Sequence, residues 1–129
     1  MQLQPTTNQA IQVLQHLHRH HGDMHTGQSI AKALGIANQR FTRIANRLRG
    51  AGIIVSASGR HGGYMLGRPA KEISIYDVFV SMQGDLYISK CVESADKCEN
   101  RHCEMHAFLQ TLQDNLIERM AGKSIVDLA

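Results

Sequence analysis

The chain has 129 residues, 43% hydrophobic but only 5% aromatic and without tryptophan, which suits one domain, or a small domain with an appendage, around an aliphatic core. No run reaches the ~18 apolar residues of a transmembrane helix, and MQLQPTTNQA lacks the basic and apolar regions of a secretory signal, so a cytoplasmic protein with no membrane partner is expected. The net charge of +3 hides an asymmetry: eight basic residues and no acid between Thr26 and Lys71, then ten acids against five bases from Glu72 onward, a block that suits an anionic partner, double-stranded DNA first.

PTTNQAIQVLQHL opens a helix. Thr6 and Gln9 have capping-box spacing, Ala10, Val13, Leu14 and Leu17 recur at the helical period, and Gly22 ends the segment. HLHRHHGDMH adds His16, His18, His20, His21 and His25. Their exposed helical spacing reads as solvated imidazoles, with a metal-binding tract as the alternative. TGQSIAKALGI is a short helix capped by Thr26, with Ile30, Ala31 and Leu34 inward and Gly35 as its stop. ANQRFTRIANRLRGAG is a third helix. Phe41, Ile44, Ala45 and Leu48 share one face, while Gln39, Thr42, Arg43, Asn46 and Arg47 fall on the other.

Two β-prone runs, Ile53–Ser56 and Tyr64–Leu66, flank SGRHGG and predict a hairpin with a glycine-rich tip. EISIYDVFVSMQG is a fourth helix, with Ser74 and Asp77 as its capping box and Ile75, Val78, Phe79 and Met82 as its apolar stripe. A final helix carries Met105, Phe108, Leu109, Leu112, Leu116 and Met120 on one face. The fold class is therefore mainly α with a small β-hairpin: a winged helix-turn-helix over 1–84, a cysteine-rich cluster-binding loop over 85–106, and a long C-terminal dimerisation helix with its tail over 103–129. The stripe of Phe108, Leu109, Leu112, Leu116 and Met120 has no evident partner in the chain. Pairing with a second copy would bury it, and two-fold homodimers suit palindromic operators. The alternative is that it packs back on its own domain.

If the third helix enters the major groove, Gln39, Thr42, Arg43 and Asn46 are of the kinds that bond base edges. Arg47 and Arg49 suit phosphates, and Arg40 is a contact or a solvated charge. Arg60 and His61 stand at the hairpin tip, which would reach the minor groove or the backbone. An enzyme is not expected, nor a small-molecule substrate. No nucleophile–base pair or paired-carboxylate motif occurs, and SGRHGGYMLG is not a phosphate-binding loop.

All three cysteines, Cys91, Cys98 and Cys103, lie in SKCVESADKCENRHCEMH, spaced C-x6-C-x4-C-x2-H up to His106. Reduced cytoplasmic thiols in this density point to metal or redox chemistry before a structural disulfide. Cys103 and His106, three apart at the start of the last helix, share a face turned away from Phe108 and Leu112. Three thiols and an imidazole can serve zinc or an iron–sulfur cluster. Ligand chemistry alone does not separate the two, and Cys98 with Cys103 could instead form a transient redox disulfide.

The stretches SIAKALGI, RLRGAGIIVSASGRHGGYMLGRP, EISIYDVFVSMQG, the three-cysteine loop and the ending SIVDLA resemble the bacterial winged-helix iron–sulfur transcription regulators of the IscR and NsrR type, along the whole chain. The resemblance implies a homodimeric regulator, a repressor in the first instance, whose operator affinity is gated by an iron–sulfur cluster responding to iron or cluster status, redox state or nitric oxide. It implies Cys91, Cys98 and Cys103 as thiolate ligands and His106 as the fourth. Asn8 stands where some members carry an acidic ligand. A 2Fe-2S cluster is placed ahead of a 4Fe-4S one, with zinc as the alternative cofactor. The family's common spacing is near C-x5-C-x5-C, Ser58 stands where a wing arginine is usual, and Ala37 and Thr42 replace polar or acidic recognition residues, so a different operator is implied. The alternative function is a zinc-stabilised or thiol-redox DNA-binding module without a cluster.

Overall fold

The structure, a computed structural model, describes residues 2–93 and 103–128. Its elements run α1 (Pro5–Arg19), α2 (Gly27–Leu34), α3 (Asn38–Gly50), β1 (Ile54–Ala57), β2 (Gly63–Leu66), a 3-10 turn (Ala70–Glu72), α4 (Ile75–Gln83), the one-turn α5 (Lys90–Glu93) and α6 (Glu104–Ala121). This is the winged helix-turn-helix that the periodicities predict.

α1 starts differently from expectation. Its N-cap is Gln4, without a side-chain cap, and Thr6 and Gln9 form no capping box. Pro5 at the first helical turn presets φ and has no N–H to satisfy. The remaining need is met from α4. Gln83 Oε1 accepts the Gln4 N–H at 3.1 Å and the Thr7 hydroxyl at 2.6 Å, while Gln83 Nε2 donates to the Gln2 carbonyl at 2.8 Å. Thr7 is fully buried, so this bond satisfies a hydroxyl that would otherwise cost about 1–3 kcal/mol.

The other local signals hold. Thr26 Oγ1 accepts the Ser29 N–H at 3.1 Å, and Gly35 closes α2 with φ 67°, a left-handed conformation suited to glycine. Ser74 and Asp77 make the reciprocal capping box of α4, each bond 3.0 Å. β1 and β2 pair antiparallel, with Ile54 opposite Leu66 and Val55 opposite Met65.

The core is aliphatic. Val13 and Leu14 of α1, Ile30 of α2, Ile44 and Leu48 of α3, Ile53, Ile54, Ile73 and Val78 of α4 are all essentially inaccessible. Each such side chain contributes roughly 1.5–3 kcal/mol of burial. α1 packs on α3 and α4, α2 on α3, and α6 on α4. The tail also returns to this core: Ile125 is fully buried, its N–H donates to the Ile73 carbonyl at 3.0 Å, and the Ile75 N–H donates to the Lys123 carbonyl at 2.8 Å.

The wing is fastened at its second strand. The Tyr64 N–H donates to the His25 carbonyl at 2.7 Å, and the His25 N–H donates back to the Tyr64 carbonyl at 3.2 Å. Gly63 permits this approach: its φ is +146°, and a β-carbon there would stand 2.4 Å from the His25 carbonyl oxygen. The Tyr64 ring also meets Phe41 of α3 edge-on, with centroids 5.5 Å apart. The wing is thus tied to the loop before α2 by backbone and to α3 by side chain.

Candidate functional site

α3 buries Phe41, Ile44, Ala45 and Leu48, and so turns Gln39, Arg40, Thr42, Arg43, Asn46 and Arg47 to solvent. The exposed face is not uniform. Thr42 Oγ1 donates to the Asn38 carbonyl one turn back at 3.0 Å, a habit of threonine within helices. Arg49 bridges Asn46 Oδ1 at 3.1 Å and Ser56 Oγ at 3.2 Å, which joins α3 to β1. Asn46 and Arg49, expected as a base reader and a phosphate contact, therefore already hold partners within the protein. Among the described residues Gln39, Arg40, Arg43 and Arg47 make no side-chain hydrogen bond or ion pair, leaving their donors open. Ser58, Arg60 and His61 at the wing tip are exposed. Helix face and wing tip belong to the stretch that carries eight bases and no acid, a field suited to phosphates. A cleft between α2 and the start of α3, lined by Thr26, Gln28, Ser29, Lys32 and Asn38, adds further polar groups to it.

The histidine tract clusters around the end of α1. His16, His20 and His25 have ring centroids 4.6, 5.4 and 5.8 Å apart. Partial desolvation first, then the positive charges of His20, His25 and Arg19, push the His16 imidazole below its ordinary pKa of 6.5. Among the described residues no three His, Cys, Asp or Glu side chains are set to hold a metal ion, and the tract stands as a cluster of imidazoles.

Of the predicted thiol site, Cys91 lies in α5, Cys103 is the N-cap of α6, and His106 lies in the first turn of α6. Cys98 lies outside the described residues. Cys91 and Cys103 are half-buried thiols in no disulfide, and Cys91 Sγ is 3.3 Å from Ser89 Oγ. α5 packs on α6, which carries Cys91 toward the helix of the other two. Cys91, Cys103 and His106 do not by themselves make a metal-holding set. One feature does fit ligation: His106 Nδ1 is buried and has no hydrogen-bond partner among the described residues. A buried ring nitrogen left unpaired is rare and asks for an occupant. Two thiols and an imidazole are a donor set for iron–sulfur or zinc chemistry.

α6 divides the predicted stripe. Leu109, Leu116 and Met120 are half-buried on the side toward the body, whereas Phe108 is 61% and Leu112 47% exposed, next to Met105 at 61%. One flank thus packs back on its own domain, and the other is exposed. Sequence reasoning missed Gln83 as the cap of α1, the Arg49 bridge, and Gln113, which is 5% exposed. Only Gln113 left a signal, as an amide on the arc of the stripe, four residues after Leu109 and three before Leu116.

The family model described as "Rrf2: Iron-dependent Transcriptional regulator" matches residues 3–129. The chain belongs to the Rrf2 family. Rrf2 relatives include protein Aau3 of Rhizobium meliloti, 28% identical over 99% of this chain and 84% of that protein. The HTH-type transcriptional regulator IscR of Photobacterium profundum is 31% identical over 72% of this chain, and that of Photorhabdus laumondii 27% identical over 77%. The matched parts span 52% and 60% of those two IscR chains. Among solved structures, CymR of B. subtilis, described as its global cysteine regulator, superposes with a TM-score of 0.84 at 20% identity, covering 100% of this chain and 96% of that one. IscR of T. potens superposes with a TM-score of 0.76 at 19% identity, covering 99% and 85%. The protein is thus an Rrf2-type transcription regulator and not an enzyme, and the winged helix is the fold these structures share.

Proposed function

We propose that this Rrf2 protein is a homodimeric repressor that reads a palindromic operator and whose affinity is set by an iron–sulfur cluster on Cys91, Cys98, Cys103 and His106. The observation that carries the metal reading is the buried Nδ1 of His106, without a partner among the described residues and one helical turn from Cys103. The donor types suit the group, and a cluster there supplies a cross-link sensitive to iron, oxidant or nitric oxide. Cys91 would bind from α5, Cys103 and His106 from α6, and Cys98 from the segment between them.

On the DNA side, Gln39 and Arg43 read base edges, Arg40 and Arg47 hold phosphates, and Arg60 and His61 enter from the wing. Ser58 is placed at the same tip. Thr42 and Asn46 act more weakly, because each already has a partner within the protein. A second copy packs on Met105, Phe108 and Leu112, with Leu109, Leu116 and Met120 at the seam with the body. The arrangement requires that loaded and stripped protein differ in operator affinity.

Protein purified without air should absorb visible light and contain iron and acid-labile sulfide. A colourless protein containing zinc would favour the zinc-stabilised module, and a colourless metal-free one the thiol switch. Affinity for duplexes selected from a random pool should differ at least tenfold between loaded and stripped protein at one salt concentration. Equal affinities would remove gating. Arg60→Ala should weaken binding to all sequences alike, and Gln39→Ala should relax preference at one base position at a cost of about 1–3 kcal/mol. Two variants indistinguishable from the parent would remove the interface.

A further inference from the structure

α6 hides one polar side chain that its own packing does not call for. Gln113 is the buried residue of this helix, flanked in sequence by Leu112 and with Leu109 and Leu116 a turn away on either side. A leucine would bury there without polar cost, whereas an amide is tolerated only when bonded. The bond exists and is long-range. Gln113 Oε1 accepts the N–H of Ile88, 25 residues earlier in the chain, at 3.0 Å. Ile88 is held between buried Leu86 and the start of α5, where Ser89 Oγ touches Cys91 Sγ and Val92 is buried. Two residues, Ser89 and Lys90, separate the bonded Ile88 amide from Cys91, a thiol of the proposed site. On the same helix, Leu112 and Phe108 stand exposed.

We propose that Gln113 is the positioning residue of the thiol site, fixing where Cys91 stands against α6 and passing any displacement of that segment into the helix that carries Phe108 and Leu112. The inference rests on the metal-gated reading for its regulatory half and on the Ile88 bond alone for its positioning half. It makes α6 the link between two surfaces. The thiols approach it from α5 and its first turn, and the apolar face leaves it on the exposed flank. Reciprocity follows: what the thiol segment does to α6, pairing of α6 must do to the thiol segment.

The test compares the full-length parent with Gln113→Leu, which keeps volume and removes the acceptor, and Gln113→Glu, which keeps an acceptor oxygen. In stripped protein, Gln113→Leu should raise amide hydrogen exchange at Ile88 at least tenfold and speed iodoacetamide alkylation of Cys91, while exchange at Leu48 in the core stays as in the parent. Loaded anaerobically, Gln113→Leu should take up the parent's iron, yet its ratio of loaded to stripped operator affinity should fall to within twofold of one. Gln113→Glu should retain the parent's behaviour in each assay. Unchanged Ile88 exchange and Cys91 alkylation in Gln113→Leu would overturn the proposal, as would an undiminished affinity ratio. A parent that shows no ratio at all removes the gating reading instead, and the exchange and alkylation results then decide positioning by themselves. Should Gln113→Leu lower core protection, Gln113→Met, also without an acceptor, takes its place in the same comparison.

Discussion

The body formed by α1 to α4 and the wing differs from α6 in how far it satisfies itself. In the body every predicted apolar face is covered by another element of the same chain, and the ends of α1, α2 and α4 are capped from within. α6 meets the body with one flank and leaves Met105, Phe108 and Leu112 bare on the other. A lone exposed apolar residue is ordinary, but three within eight residues on one flank of a helix form a patch. The contrast teaches that the body covers its own apolar faces, whereas α6 leaves one flank of its stripe uncovered by this chain.

The sharpest way to break this contrast is at its junction. Ile125→Ala should destabilise the whole protein by about 2–5 kcal/mol, because a fully buried side chain leaves a cavity in the body's own core. Urea denaturation that moved by less than about 1 kcal/mol would mean that the tail is a loose appendage. Next in size is Phe108→Asp. It should weaken self-association by about 2–4 kcal/mol as measured by sedimentation equilibrium, with monomer stability within about 0.5 kcal/mol of the parent. Undiminished association would place the partner surface elsewhere.

A smaller effect is expected at Ser74→Ala, which removes half of the α4 capping box. Stability should fall by about 1 kcal/mol with self-association unaltered, since the cap belongs to the body alone. The smallest concerns His16. Its imidazole is held below the ordinary 6.5 by desolvation and then by His20, His25 and Arg19. The unfolded chain therefore takes up that proton first, so stability should hold steady above about 6.5 and decline as pH falls from there through the folded value. His16→Gln should flatten that slope in calorimetry. A slope that survives the substitution would assign it to another group.

Legibility in the sequence followed the range of each interaction. The face of α3, the Thr26 cap and the Ser74–Asp77 box were readable because their partners lie within four residues, where helical geometry fixes distance. The start of α1 was misread for the opposite reason. Gln83, the group that caps it, lies 79 residues from Gln4, and nothing in TTNQ announces it. The stripe on α6 was legible as a stripe. Periodicity cannot assign its two flanks, because both lie on one continuous arc and only tertiary packing separates Leu109 from Phe108. At the thiol site the donor types were plain from SKCVESADKCENRHCEMH. The open nitrogen of His106 depends on what surrounds the ring, and spacing carries no information about that. The same holds for Asn46 and Thr42, whose residue types suit base reading but whose side chains turn to neighbours in the protein.

The return of the tail into the core gives α6 one fixed end. Ile125 is locked between elements of the body just past the helix's last turn, while Cys103 and Met105 begin its far end. From Met120 to Met105 the helix rises roughly 22 Å at about 1.5 Å per residue. A rigid rod pivoting at its anchored end multiplies small angles, so a tilt of about 5° would carry Met105 roughly 2 Å sideways. Cys103 and His106 sit at the end with the greatest throw, and the anchor at the end with the least. A displacement of the Cys103 end would therefore be handed on to Phe108 and Leu112 in diminishing measure, each moving in proportion to its distance from the anchored end.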